Sequence, residues 1–75
     1  MKIKVRYVPW VEKTAEIEID DKFQNYDYGD NPWSINEEKE ELKDTIADIL
    51  YEKGEGWATL IVIQDLKTNK ILFTD

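Results

Sequence analysis

The sequence predicts an α+β domain with the element order β-β-α-β-β, in which one helix packs on one face of an antiparallel four-stranded sheet. Residues 2–8 and 11–19 alternate apolar and polar side chains, a pattern that is typical of half-buried strands. Residues 34–53 repeat their apolar side chains at helical spacing, which predicts the only long helix. Residues 57–64 and 71–74 are apolar runs on either side of a turn, and they predict a second hairpin.

The composition is that of one small domain spanning residues 1–75. The chain has no cysteine, which is compatible with a reducing compartment. No apolar run approaches the roughly 20 residues of a membrane-spanning helix, and the N-terminal residues lack the apolar core of a signal peptide. We therefore expect a cytoplasmic protein that does not insert into membranes.

The first two strands form the first predicted hairpin. On its outer face, Lys4 and Arg6 can lie opposite Glu16 and Glu18, and such cross-strand charge pairs contribute about 0.2–1 kcal/mol each. Pro9 interrupts the first strand, and Pro9-Trp10 indicates either a turn or an irregularity at the edge of the sheet. The inner face carries apolar side chains from both strands: Ile3, Val5, Tyr7, Ala15, Ile17 and Ile19.

Residues 20–33 form a predicted loop that mixes acidic and aromatic side chains. A loop of this length is uncommon in a compact domain and is often functional. Two alternatives are open for it: its aromatic side chains fold back over the core, or the loop is an exposed arm that anchors a partner. The aromatic side chains are Phe23, Tyr26, Tyr28 and Trp33. In the second alternative, the candidate contact residues are Tyr26, Asp27, Tyr28 and Asp30.

The predicted helix has recognisable ends. Ser34 and Glu37 match the S-x-x-E capping box, in which Ser34 caps the helix and Glu37 reaches back to it. Asn31 followed by Pro32 is an alternative start, because proline suits the first helical position. Gly54 is expected to end the helix in a left-handed conformation. The apolar face between these ends consists of Ile35, Leu42, Ile46, Ile49 and Leu50.

The second hairpin supplies the rest of the predicted core. Residues 57–64 are apolar on both faces, which indicates a central strand. Asn69 can adopt a left-handed conformation in the turn that follows. Because one helix covers only one face of the sheet, we expect three side chains to point away from it: Leu60, Val62 and Leu72. Either the 20–33 loop or a second copy of the chain would then cover them.

The solvent side of the predicted helix carries a row of acidic side chains at steps of three and four residues: Glu37, Glu41, Asp44, Asp48 and Glu52. The lysines of the helix fall nearer its apolar side: Lys39, Lys43 and Lys53. Each pair of like charges four residues apart costs about 0.2–0.5 kcal/mol, and the row runs for about 22 Å along a helix. Glu37 suits the positive N-terminus of the helix, whereas Asp44, Asp48 and Glu52 lie beyond its reach. This arrangement favours a face that serves binding.

No constellation of residues predicts catalysis or cofactor binding. The chain has no histidine or cysteine, its only serine is Ser34, and it has no glycine-rich phosphate-binding loop. The acidic residues of the loop do not have the spacing of a calcium-binding EF-hand: Asp20, Asp21, Asp27 and Asp30. We therefore expect a protein that is not an enzyme and that holds neither a metal ion nor a cofactor.

The formal net charge of −7 bears on the class of partner. Most of the 17 acidic residues lie within residues 15–55, whereas most of the 10 basic residues lie outside this range. Nucleic acids and anionic membranes need a basic surface, so neither is expected to bind directly. A basic protein surface is the expected partner, in particular a nuclease or another complex that itself binds nucleic acid.

The acidic row, together with the neighbouring Tyr51, resembles the surfaces of small acidic phage-encoded inhibitors of bacterial defence nucleases. These are nucleic-acid mimics of the anti-CRISPR and antirestriction kind, and the resemblance is one of character over the helix and the 20–33 loop. It implies a non-enzymatic inhibitor that binds a nuclease complex and blocks nucleic-acid recognition or cleavage. The alternative is a structural or adaptor domain that homo-oligomerises, for example as a dimer, through Trp10, Trp57 or an uncovered sheet face.

Overall fold

The predicted element order and fold class are confirmed. The computed structural model describes residues 1–75, and its strands form one sheet in the order β2-β1-β3-β4, in which every neighbouring pair is antiparallel. One α-helix lies between the two hairpins along the chain. The elements are β1 (Lys2–Val8), β2 (Lys13–Glu18), α1 (Glu37–Glu52), β3 (Thr59–Asp65) and β4 (Ile71–Thr74).

Strand β1 lies in the middle of the sheet and carries the strict alternation that the sequence predicts. Its buried residues alternate with exposed lysine and arginine side chains. Val5 is paired with Ala15 of β2 on one side and with Ile63 of β3 on the other, so all three share the inner face. The inner face of the sheet and the buried face of α1 contribute to one hydrophobic core.

The outer face of the hairpin carries charges in nearly the predicted register. Lys4 is paired with Glu16, as expected, but Arg6 is paired with Thr14. The guanidinium of Arg6 instead forms a 3.1 Å salt bridge with Glu12, which lies in the turn between the strands. Glu18 is paired with Lys2. The four predicted charges are therefore on the solvent side of the sheet, with one pairing shifted.

Two register shifts change which side chains of β3 and β4 face the core. Between Arg6 and Tyr7 the pairing with β3 shifts, so Tyr7 lies opposite Leu60 and both are buried. A second shift in the β3–β4 pairing leaves Leu72 as the extra residue, and it joins the core. The prediction that Leu60 and Leu72 point away from the helix is therefore wrong, because a bulge reverses the alternation. Val62, opposite Arg6, does lie on the outer face and is half-buried.

The helix begins at Glu37, and its N-cap lies two residues after the predicted cap, Ser34. Asn36 is the cap: its backbone is extended, and its side-chain oxygen accepts a 2.7 Å hydrogen bond from the N–H of Lys39. The Ser34 cap is therefore wrong, since the hydroxyl of Ser34 instead donates to the carbonyl of Asn31. Ile35 precedes the helix and is 47% exposed, so it does not belong to the apolar face.

The C-terminal end of the helix is confirmed. Gly54 has a φ of +87°, and its N–H donates to the carbonyl of Tyr51 while the N–H of Glu55 donates to the carbonyl of Leu50. This pair of bonds is a Schellman motif, for which the left-handed residue is usually glycine. Asn69 also has a positive φ of 60°, as predicted for the second turn. No helix of the protein is long and apolar enough to cross a bilayer.

The 20–33 segment folds back over the core. It contains a 3-10 helix, Asp21–Asn25, which buries Phe23. Tyr28 is also buried, and its hydroxyl donates a 2.6 Å hydrogen bond to the carbonyl of Phe23. Further along, the carbonyl of Pro32 accepts a hydrogen bond from the N–H of Thr74 and so covers part of the outer edge of β4. For Phe23 and Tyr28, the first of the two predicted alternatives is the one observed.

Candidate protein-binding surface

The solvent side of α1 is uniformly acidic. All five predicted carboxylates of the row are exposed: Glu37, Glu41, Asp44, Asp48 and Glu52. The buried helix positions Leu42, Ile46 and Leu50 fix the opposite face against the sheet. We call the five exposed carboxylates the acidic face.

The lysines of the helix do not neutralise the acidic face. Lys39 is fully buried, and its ammonium donates to the carbonyls of Asn31 at 3.0 Å and Ser34 at 2.6 Å. The Lys43 ammonium lies 4.3 Å from the centre of the Phe73 ring. Burial lowers the pKa of Lys39, and the nearby positive charge of Lys43 acts in the same direction. Both cations are therefore engaged on the core side of the helix, as predicted, whereas Lys53, the C-cap, is exposed rather than packed against the core.

Only one member of the acidic face has a basic partner. Glu41 lies 3.5 Å from the Lys22 ammonium, and the pair is exposed. Glu37, Asp44, Asp48 and Glu52 form no salt bridge. The mutual repulsion of neighbouring carboxylates is consequently not offset within the chain.

The 20–33 segment is hydrogen bonded to the N-terminal half of the acidic face. The Tyr26 hydroxyl donates a 2.7 Å hydrogen bond to Glu41, and the backbone N–H of Asp27 donates to the Glu38 carboxylate. The hydrogen bond to Glu41, followed by burial, raises the pKa of Tyr26 to about 12. Asn36 also donates its side-chain N–H to the carbonyl of Asp27. These bonds bring the loop and the helix into one continuous surface.

The predicted loop residues differ in their availability to a partner. Tyr26 and Asp27 lie beside the acidic face, and Tyr26 is half-buried while Asp27 is exposed. Asp30 is exposed on the same loop. Tyr28 is not available to a partner, because its side chain lies in the core. The same burial raises the pKa of its hydroxyl. Its aromatic ring is needed to complete a small core, which explains why the prediction of a contact role for Tyr28 is not supported.

An aromatic pair lies at the C-terminal end of the acidic face. Tyr51 is 51% exposed and Trp57 is 73% exposed, and their ring centres are 4.5 Å apart with 30° between the ring planes. Tyr51 was predicted as a contact residue of the acidic row. Trp57 was predicted only as part of an apolar surface, because its distance in sequence from the helix conceals the stacking.

A groove of about 310 Å³ runs between α1 and the β3–β4 half of the sheet. Its apolar part is formed by Ala47, Ala58, Leu60 and Phe73, and its acidic part includes Glu40 and Asp44. Glu40 is exposed and was missed as a site residue, although its spacing of four residues from Asp44 is a recognisable signal. Neither Tyr51 nor Trp57 lines the groove, but Ala58 directly follows Trp57 in the chain and Ala47 lies one helical turn before Tyr51, so the groove lies near the aromatic pair.

The outer face of the sheet is mixed in character. A cavity of about 240 Å³ there is lined by Val62 and Ile71 together with polar and charged side chains, including Lys4, Arg6 and Gln64. The apolar area is interrupted by these groups, so this face offers no continuous hydrophobic surface for a second copy of the chain. A larger exposed apolar group, Trp10 and Val11, lies in the turn between β1 and β2.

The carboxylates of the acidic face give this side of the helix a negative field that attracts cations. No group of three or more acidic side chains is placed so that it could coordinate a metal ion. The carboxylates are instead spread along one helix face, where they can pair with several basic groups of a macromolecule. No family model matches the sequence, and no curated protein and no solved structure is significantly similar to it.

Proposed function

We propose that this protein is a non-enzymatic inhibitor that binds the basic nucleic-acid groove of a partner protein through its acidic face. The observation that carries the proposal is the row of exposed carboxylates, of which Glu37, Asp44, Asp48 and Glu52 have no basic partner within the chain. With Glu41 included, a rigid helix holds successive carboxylates of the acidic face about 5–6 Å apart. The acidic face therefore presents a regular line of negative charge, as the phosphates of a nucleic-acid strand do.

The proposed partner is a nuclease or a related nucleic-acid-binding complex in the bacterial cytoplasm, as the resemblance to anti-CRISPR and antirestriction proteins implies. Charge complementarity accelerates association and fixes the orientation of the complex. Occupation of the basic groove by the acidic face would exclude the nucleic acid from it. The same surface continues from Glu41 toward the loop through Tyr26 and Asp27. These two loop residues would contact the rim of the partner's basic groove.

The second candidate is an adaptor domain that self-associates through apolar surface. It is supported by the turn between β1 and β2, where Trp10 is 84% exposed and Val11 is exposed beside it. Such a contact is driven by apolar burial, so it would be insensitive to salt. The acidic face would then only keep the protein in solution.

A pull-down from bacterial lysate tests the first candidate against the second. The bait is the tagged protein, at low and at high salt, compared with the triple variant Asp44→Lys, Asp48→Lys and Glu52→Lys. A matched control makes the same change in charge on the hairpin, where the substitutions are Glu12→Lys, Glu16→Lys and Glu18→Lys. The control breaks the exposed pairs of Glu12 and Glu16, which contribute about 0–1 kcal/mol each. It also removes the 3.6 Å contact of Glu18 with the N-terminal ammonium of Met1, which keeps Asp21 as a partner.

We expect the wild type and the hairpin control to recover a nucleic-acid-binding protein at low salt, and we expect the triple variant to lose it. The recovered protein should then be inhibited by the wild type in a nucleic-acid-binding or cleavage assay. Retained binding by a folded triple variant would contradict the role of the acidic face. Recovery of the bait alone, unaffected by salt, would favour self-association.

A further inference from the structure

We infer that the aromatic pair Tyr51–Trp57 and the adjoining groove form an anchoring site for an arginine side chain of the basic partner. This inference rests on the proposed function, and it names the residue type that the partner inserts. The two rings are stacked and exposed, and they lie where the acidic face ends. Tyrosine and tryptophan are enriched among the residues that dominate binding energy, and the partners they favour include arginine.

The charges around the aromatic pair favour a cation. Asp48 lies three residues before Tyr51 and is its neighbour on the helix surface, and Glu52 directly follows Tyr51 in the chain. Both carboxylates are exposed, and neither has a basic partner. The last turn of α1 contains no basic side chain, so the negative end of the helix dipole adds to the same field. Lys53, which follows as the C-cap, is exposed and offsets part of this negative charge. The carboxylates and the dipole together still favour a cation over an apolar ligand.

The shape of the surface favours arginine over lysine. The guanidinium is planar, so it can stack on an aromatic ring while its edge pairs with a carboxylate. An ammonium is more strongly hydrated and has no flat face to stack. The apolar part of the groove, at Ala47 and Ala58, is next to the pair and can receive the aliphatic portion of the side chain.

The groove itself leaves its acidic rim available. Lys43 is the only basic residue that lines it, and its ammonium is placed over the Phe73 ring. Glu40 and Asp44 on the rim form no salt bridge. The Lys43 ammonium is therefore engaged by the Phe73 ring inside the groove. The rings of Tyr51 and Trp57 and the rim carboxylates have no cationic partner within the chain.

The test measures binding of an oligoarginine peptide and of an oligolysine peptide of equal length to the full chain. The affinity of every variant is measured by NMR from the backbone amide signals. In the wild type, the indole N–H signals locate the contact, because the three tryptophans report on three separate places: Trp10, Trp33 and Trp57. The variants are Trp57→Ala and Tyr51→Ala, with Tyr51→Phe to retain the ring. Trp10→Ala is the matched control, since it removes a tryptophan that is even more exposed.

We expect oligoarginine to shift the Trp57 signal selectively and to bind more tightly than oligolysine. Loss of either ring should weaken oligoarginine binding by about 2- to 5-fold, which corresponds to the usual strength of cation–π contacts at exposed sites. Tyr51→Phe and Trp10→Ala should bind nearly as well as the wild type. Because the rings are exposed, all variants are expected to keep the native amide spectrum.

Three other outcomes of the peptide experiment would each lead to a different conclusion. Equal affinity for the two peptides, with binding lost in the triple acidic variant but kept in Trp57→Ala, would overturn the arginine site and leave the proposed function standing. A shift of all three indole signals would also overturn it, since it would show diffuse contact. Selective binding at Trp57 that persists in the triple acidic variant would support the aromatic pair as the anchor, but it would contradict the part given to Asp48 and Glu52 and count against the acidic face as the principal interface.

Discussion

The hydroxyl of Tyr26 donates a 2.7 Å hydrogen bond to Oε2 of Glu41, and this bond connects the 20–33 segment to the middle of α1. The ring of Tyr26 also packs against Phe23, with ring centres 4.9 Å apart. Glu41 thus has two functions in the structure: it belongs to the acidic face, and it holds the loop in place. The loop is positioned by the same helix that presents the charges.

Alkaline pH should weaken the attachment of this loop. The pKa of Tyr26 is raised from 10.0 to about 12 in the folded protein, so its stabilising contribution is complete below pH 10 and is lost as the pH rises through about 12. Tyr26→Phe should therefore show a smaller loss of stability over this pH range than the wild type. Denaturant unfolding at several alkaline pH values measures the difference, and identical pH profiles would contradict it. All other groups are the same in both proteins, so the comparison isolates Tyr26.

Lys39 should be essential to the start of the helix. Its ammonium is buried and donates to two loop carbonyls, those of Asn31 and Ser34. Lys39→Met keeps the aliphatic volume but leaves both carbonyls without this donor, so we expect a loss of about 1–3 kcal/mol in the free energy of unfolding. Lys53→Met is the matched control, because Lys53 is exposed, and its change should stay within about 0.5 kcal/mol. Equal effects of the two variants would show that these bonds contribute nothing.

The cap of α1 can be assigned by two alanine substitutions. Asn36→Ala removes the acceptor of the Lys39 N–H and should cost about 0.5–2 kcal/mol. Ser34→Ala removes only an exposed hydroxyl that bonds within the preceding turn, so its effect should be smaller. Thermal or denaturant unfolding of the two variants gives the order. A larger loss for Ser34→Ala would restore the capping box that the sequence suggests.

The core face of the helix should be sensitive to truncation. Leu42 and Ile46 are fully buried, so Leu42→Ala or Ile46→Ala should each lower the free energy of unfolding by about 2–5 kcal/mol. In a domain of 75 residues this loss is a large part of the total stability. Ile35→Ala serves as the control, because Ile35 is outside the helix and partly exposed. A loss well below 1 kcal/mol at Leu42 or Ile46 would mean that the helix does not pack as described.

Stability and binding should respond in opposite directions at Asp48. A lysine at this position would lie between Asp44 and Glu52, so two repulsive pairs would become attractive. Asp48→Lys should therefore raise the free energy of unfolding by about 1 kcal/mol at low salt while weakening partner binding. Measurements at high salt should reduce the gain in stability. A less stable variant, or one that binds the partner as well as the wild type, would argue against a face kept for binding.

The sequence predicts those features that depend on local periodicity and on single special residues. The alternation of β1, the buried positions of α1 and the left-handed conformation of Gly54 are set within a few residues of chain, and each is observed. The acidic face is likewise visible in the sequence, because helical spacing fixes which side chains are neighbours.

The features that escape prediction depend on contacts between distant segments. A bulge reverses the expected orientation of Leu60, because register is decided by the pairing with β1. The stacking of Trp57 on Tyr51 requires the turn after α1 to bring the two rings together. The choice of Asn36 over Ser34 as the cap follows from the loop, which engages Ser34 in a different hydrogen bond.

The pairing of β1 with β3 has a consequence for the order of folding during synthesis. Ile3 is paired with Asp65, so the centre of the sheet joins the first strand to a strand near the other end of the chain. On a ribosome, the first hairpin and the helix can form early, but the middle of the sheet cannot close until β3 has emerged. Until then β1 has one unpaired edge. An incomplete chain would therefore expose the same central strand that the finished protein protects best.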